Sequence, residues 1–116
     1  MRDDDPTVTD PDKYTVVFEN DRVRVLEYRD VPGDRTSPHR HPDSVMVTLA
    51  SFDRRVTHGE RSADVHLEPG QARWIAAQEH YGENTGSTDS HAIFVELKEG
   101  GGTAPDGPAP LGPGSA

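Results

Sequence analysis

Short runs of β-branched and aromatic residues, each closed off by Gly, Pro or an Asn-Asp pair, constrain this chain more than any other feature. Residues 14–19 read Tyr-Thr-Val-Val-Phe-Glu and 22–29 read Arg-Val-Arg-Val-Leu-Glu-Tyr-Arg, with the turn pair Asn20-Asp21 between them. Val31-Pro32-Gly33-Asp34 is a second turn signal. In 44–50, Val45, Val47 and Leu49 alternate with Ser44, Met46 and Thr48. Further strands fit at 53–58, 62–67, 72–76 and 91–98, separated by turns at His58-Gly59-Glu60, Glu68-Pro69-Gly70 and Thr85-Gly86-Ser87. Alternation of this period is the signature of strands, and no segment supports a helix. The best helical candidate, around 71–80, is too short and follows Pro69-Gly70. There is no internal repeat. The rhythm predicts an all-β sandwich or barrel.

A chain of 116 residues makes one ordinary domain. Only 31% of its residues are hydrophobic, and the two ends account for that. Residues 1–13 are acidic and hold two prolines; residues 99–116 are almost entirely Gly, Pro, Ala and Ser, with Leu111 the one large apolar side chain. Neither end can bury enough apolar surface to offset its ordering entropy, so both are expected to be disordered. The folded domain is expected over 14–98. A net charge of -9 excludes a nucleic-acid footprint, which requires clustered cations. Arg22, Arg24, Arg54, Arg55 and Arg61 are interspersed with acids and read as solvated strand faces. With no cysteine, disulfides, thiolate ligands and Cys nucleophiles are excluded. No leader pattern and no long apolar run is present, so the expectation is a soluble cytoplasmic protein without membrane contact.

The chemistry concentrates in His39-Arg40-His41, answered by His80-Tyr81-Gly82-Glu83-Asn84. On an extended strand His39 and His41 point the same way and Arg40 the other. Two imidazoles so placed converge on one ion at about 2.0–2.1 Å per bond if the fold brings a third across. His80, expected on a distant loop, is the natural candidate.

These residues resemble the cupin superfamily. Its first motif is a Gly, five residues, then His-x-His, which Gly33, His39 and His41 match. Its second motif ends in His-x-x-x-Asn, which His80 and Asn84 match. Ala76 stands in place of the usual Pro of that motif, Gln78 in place of Gly, and one residue is missing before His80. The run from Trp74 to Lys98 is similar to the small single-domain cupins labelled β-alanine degradation proteins. The resemblance, from about Phe18 to Lys98, implies a double-stranded β-helix, or jelly-roll, barrel. Many cupins add a carboxylate four or five positions after the second His, but here Val45 and Met46 occupy those places. Asp43 is the nearby acid, directly after Pro42. The resemblance therefore implies three protein ligands, His39, His41 and His80, with the remaining coordination positions open.

Three neutral imidazoles suit Fe(II), Zn, Ni, Cu or Mn. Without a carboxylate the ion keeps its full charge, which makes it a strong Lewis acid and favours an anionic ligand. Around the ion, Asn84 either orients His80 or holds an Asx turn, the turn being preferred. Tyr81 and Trp74 are candidates for aromatic pocket walls, a core position being the alternative for Trp74. Tyr28 and Met46 carry the same two readings. Arg35 is the best-placed cation for a ligand carboxylate, and the alternative is a surface arginine. His58 and His66 are expected in solvent, and His91 capped or partly buried. The pattern supports a metal-dependent enzyme acting on a small anionic metabolite, as an oxygenase or a Lewis-acid isomerase or lyase. A non-catalytic ligand-binding or sensing protein is the alternative. Uncovered strand edges and apolar faces such as that of 44–50 also point to a homodimer.

Overall fold

The turn residues mark where the strands stop. Gly59, at a φ of 61°, leads a two-residue hairpin, and Gly70, at 80°, turns the chain back after Pro69; left-handed backbone of this kind favours glycine. A computed structural model describes residues 3–98. Its strands are β1 (Tyr14–Glu19), β2 (Val23–Asp30), β3 (His39–His41), β4 (Ser44–Thr48), β5 (Phe52–His58), β6 (Arg61–Leu67), β7 (Ala72–Ile75), β8 (Gln78–Asn84) and β9 (Ser90–Leu97). Two antiparallel sheets, ordered β1-β2-β9-β4-β7 and β3-β8-β5-β6, face each other as a jelly roll. Leu26, Tyr28, Met46, Ala92 and Phe94 from the first sheet meet Phe52 and Leu67 from the second in one core, with Tyr14 and Ile75 beside them. Among the described residues no helix is long and apolar enough to cross a membrane.

Every strand read from the alternation is present, with ends moved by one or two residues. β8 is the addition: His80 lies on a strand, not on a loop. Its sequence, Gln-Glu-His-Tyr-Gly-Glu-Asn, has little intrinsic strand preference, and pairing with β3 on one side and β5 on the other imposes the conformation. The acidic leading segment also departs from expectation. Pro6–Thr9 forms a short helix, α1, whose N-cap Asp5 accepts a hydrogen bond from the Thr7 amide. Asp10 is buried, and the Asp4 carbonyl accepts from the Arg40 amide at 2.7 Å. The segment is held by these polar contacts to β3, which a count of apolar residues does not register. The tail expected over 99–116 lies outside the described residues.

The fold decides which parity of the alternation faces inward. On β4 the inward side chains are Ser44, Met46 and Thr48, and on β9 they are Ser90, Ala92, Phe94 and Glu96. The more apolar parity, Val45, Val47, Ile93 and Val95, faces out. Arg54 is likewise no solvated strand residue. It points between the sheets and pairs with the buried Asp30 at 2.7 Å.

Candidate metal centre

β3 is bounded by Pro38 and Pro42, which confine it to three residues. His39 and His41 are buried on its inner side, and Arg40 is exposed on the other. The antiparallel register sets His80 of β8 directly opposite His39. Ring centroids lie 4.7 Å apart for His39–His41, 5.0 Å for His39–His80 and 5.1 Å for His41–His80. One ligand nitrogen from each ring falls within 4.8 Å of the other two. Tyr14 meets the edge of His39 at 5.5 Å, and Phe94 stacks on His41 with an 11° interplanar angle, so the rings are fixed by packing.

Hydrogen bonding decides which nitrogen of each ring faces inward. His39 Nδ1 donates to the Ser37 carbonyl at 2.8 Å. His80 Nδ1 donates to Gln78 Oε1 at 2.7 Å, and the Gln78 amide is oriented because its Nε2 donates to the Ala76 carbonyl. His41 Nδ1 donates to Glu96 Oε2 at 3.3 Å. A neutral imidazole that donates from Nδ1 carries its lone pair on Nε2. The Nε2 atoms of His39 and His41 are buried without a hydrogen-bond partner. Buried polar atoms are rarely left so, and two unpartnered lone pairs in one three-histidine cluster are what a cation would satisfy. Burial also holds the His41 and His80 rings well below the ordinary histidine pKa, each reinforced by its neighbouring imidazole. His39 is lowered by burial, against the opposing effect of its hydrogen bond to the Ser37 carbonyl. All three therefore favour the neutral, ligating form. The donor set and its geometry fit a transition-metal ion.

Behind the rings stand acids that the sequence reading missed. Glu96 joins His41 to Arg24, whose Nε donates to it at 2.9 Å, and Arg24 pairs in turn with Asp5 at 2.9 Å. The single Ser37 N–H is shared between both Asp10 carboxylate oxygens, at 3.0 and 3.1 Å, and Asp10 Oδ2 lies 3.8 Å from His39 Nδ1. The signal for Glu96 was its parity: it shares a side with Phe94 and Ala92. That parity is visible in the sequence, but which side is inner is not.

Beside the cluster is a cavity of about 40 Å³, lined by His39, His80, Tyr28, Met46 and Arg54, with Phe52, Ile75 and Phe94 among its other walls. Met46 and Tyr28 line this cavity and also belong to the core cluster. Trp74 does not: it pairs with Val45 on the outer face and is 44% exposed, neither pocket wall nor core. Tyr81 alternates away from the cavity. The Arg35 guanidinium sits 5.8 Å over its ring and 3.4 Å from Glu83, so Arg35 and Tyr81 form a surface cluster, not a ligand contact. Asn84 takes the turn role. Its Oδ1 accepts from the Gly86 amide at 3.0 Å, and its Nδ2 donates to the Thr88 carbonyl and to Asp30, none of which touches His80. Asp43 turns its carboxylate to the Ala77 amide at 2.8 Å, away from the cluster. His66 is exposed between Asp53 and Glu68, His58 is exposed, and His91 is partly buried against Glu27 at 2.7 Å.

Among the described residues, Asp10, Asp30 and Glu96 are the acids the fold buries, and Arg54, expected on a solvated strand face, pairs with Asp30. No family profile and no curated protein matches this chain. Solved structures do. A cupin domain from Bordetella pertussis Tohama I is 31% identical, with a TM-score of 0.68, over 73% of this chain and 91% of that one. A double-stranded β-helix protein from Klebsiella pneumoniae is similar at 20% identity and TM-score 0.58, over 78% and 74% of the two chains. A cupin-superfamily protein from Desulfitobacterium hafniense is similar at 16% and 0.55, over 72% and 74%. The fold is that of all three, and by its identity to the Bordetella domain across nearly that domain's whole length, this chain belongs to the cupin superfamily.

Proposed function

We propose that His39, His41 and His80 hold one divalent transition metal, Fe(II), Zn, Ni, Cu or Mn, and that the protein acts on a small anionic metabolite bound beside it. The carrying observation is the pair of buried, unpartnered Nε2 atoms on His39 and His41. A bound divalent ion would supply Lewis acidity or access to oxygen, according to its identity. The chain's own residues fix the rings. Ser37, Gln78 and Glu96 each accept a hydrogen bond from an Nδ1, and Phe94 and Tyr14 hold the ring planes. The cluster contains no carboxylate. At least one coordination position would therefore be left for a ligand.

The test is metal analysis of purified protein by inductively coupled plasma mass spectrometry, before and after reconstitution. One equivalent per chain is expected, falling below a tenth in His39→Ala and His80→Ala. Equal, substoichiometric metal in all three proteins overturns the reading. Ligand binding without catalysis has its own support. Besides the histidines, the titratable residues of the cavity wall are Tyr14, Tyr28 and Arg54, and burial pushes both phenols far above neutrality. None supplies a general base near pH 7. Screening short acids for turnover by metal-loaded protein separates the two readings. The finer likeness to the β-alanine degradation branch belongs to this proposal and rests on the run Trp74 to Lys98 alone.

A homodimer is part of the same proposal. Cross-strand register carries Phe18 to Val25, Val25 to Val95, Val95 to Val45 and Val45 to Trp74, an apolar row across the outer face of the five-stranded sheet. Phe18 is 53% exposed at one end of that row. Such a row is the kind of patch that association covers.

A further inference from the structure

Arg54 is the one charged residue, the histidines aside, in the wall of the cavity, and its setting is specific. β5 turns Phe52, Arg54 and Val56 inward. Across the sheet, β8 presents Gly82, and a Cβ built there would lie 2.4 Å from Arg54 Nη2. The guanidinium therefore occupies room that only glycine leaves, between the sheets and on the same cavity as His39 and His80. Nη1 donates to Asp30 at 2.7 Å and to Ser90 Oγ at 3.2 Å, and Nη2 donates to Tyr28 Oη at 3.2 Å. The Tyr28 ring stacks under Cζ at 5.0 Å. These contacts hold the group in one place. Among the described residues they take three of its five N–H groups.

We infer that Arg54 anchors the carboxylate of a short-chain aliphatic acid whose other end faces the three imidazoles. The class follows from size and chemistry together, and it rests on the cavity being the ligand site of the function proposed above. A cavity of about 40 Å³ has room for roughly three waters, about 90 Å³ of liquid volume, which limits the ligand to a short-chain acid. Met46, Phe52, Val56, Ile75 and Phe94 suit a bare methylene chain. The Arg54 charge is already balanced by Asp30, so recognition comes from directed N–H donation and from the cation proposed at the other end. A neutral amide, which offers one acceptor and no charge, is discriminated against on both counts.

The experiment uses the full chain loaded with Co(II), whose visible absorption reports on its ligands, with calorimetric titration of acetate, propionate, butyrate, hexanoate and propionamide. The three short acids are expected to bind and to perturb the Co(II) band. Hexanoate and propionamide should bind at least ten-fold more weakly. Arg54→Lys should weaken propionate at least ten-fold while keeping one Co(II) per chain. Because an unpaired Asp30 can unfold the single variant, Arg54→Met combined with Asp30→Asn is measured beside it. Propionamide or hexanoate binding as well as propionate overturns the inference, as does unchanged propionate affinity in either folded variant. If Co(II) fails to bind, the metal proposal falls. The same acid series on metal-free protein then still decides Arg54: a ten-fold preference for the acid over the amide supports it, and none refutes it.

Discussion

Two arginine–carboxylate pairs, each with its carboxylate buried, lie toward opposite ends of β2, and they behave in opposite ways. At the histidine end Arg24 meets Glu96, and at the cavity end Arg54 meets Asp30, with closest distances of 2.8 and 2.7 Å. Burial raises Glu96 and outweighs the pull of Arg24. Burial also works to raise Asp30, but there the Arg54 charge and hydrogen bonds from Ser90, Tyr28 and Arg54 outweigh it and hold the carboxyl below its ordinary value. The difference is in the partners. Arg24 is shared between Glu96 and Asp5, whereas Asp30 receives donors from Arg54, Tyr28, Asn84 and Ser90. An ion pair in a low-dielectric interior is only as secure as the hydrogen bonds that complete it. The saturated pair holds the guanidinium in one place between the sheets. The under-supplied one keeps an oxygen for His41 Nδ1.

That contrast breaks most visibly in stability. Arg54→Ala leaves Asp30 buried without its cation and should cost about 3–5 kcal/mol, measured by urea unfolding. Metal affinity should move little, since Arg54 donates to none of the ring nitrogens. A loss below about 1 kcal/mol would show that the two pairs are alike after all. At the other end, Glu96→Gln keeps the shape but removes the charged acceptor of His41. Metal affinity, measured by chelator competition, should fall about ten- to hundred-fold, with a smaller effect on folding than the Arg54 change.

The third expectation is smaller and sharpens the sign. Asp30 has a folded pKa depressed below its ordinary 3.8. Its stabilisation is therefore fully present above that value and is lost as pH falls through the folded one. The gap in unfolding free energy between wild type and Asp30→Asn should stay constant from pH 8 to about 5 and narrow below about 4. A gap that widens on acidification would contradict it.

Much of the fold was legible because alternation and turn chemistry are local. Asn20-Asp21, Gly59 and Gly70 end strands wherever those strands come to pair, and His39-Arg40-His41 places two rings on one side by backbone geometry alone. Which side of a strand faces inward is not local in the same way. On β4 and β9 the greasier parity faces out, because the inner face had to supply Ser44, Thr48, Ser90 and Glu96 for polar contacts around the interior. Trp74 and Tyr81, the candidates for aromatic pocket walls, lie on the opposite parity from their cavity-facing neighbours Ile75 and His80.

The sequence by itself determined an all-β chain with three imidazoles able to meet, since strand period and motif spacing are properties of the backbone. Only the tertiary structure decided that His80 sits on a strand opposite His39, that Glu96 and the Asp5–Asp10 segment stand behind the rings, and that Arg54 lines the cavity. Register and inward direction are set by what two sheets must bury together, and no single strand carries that information.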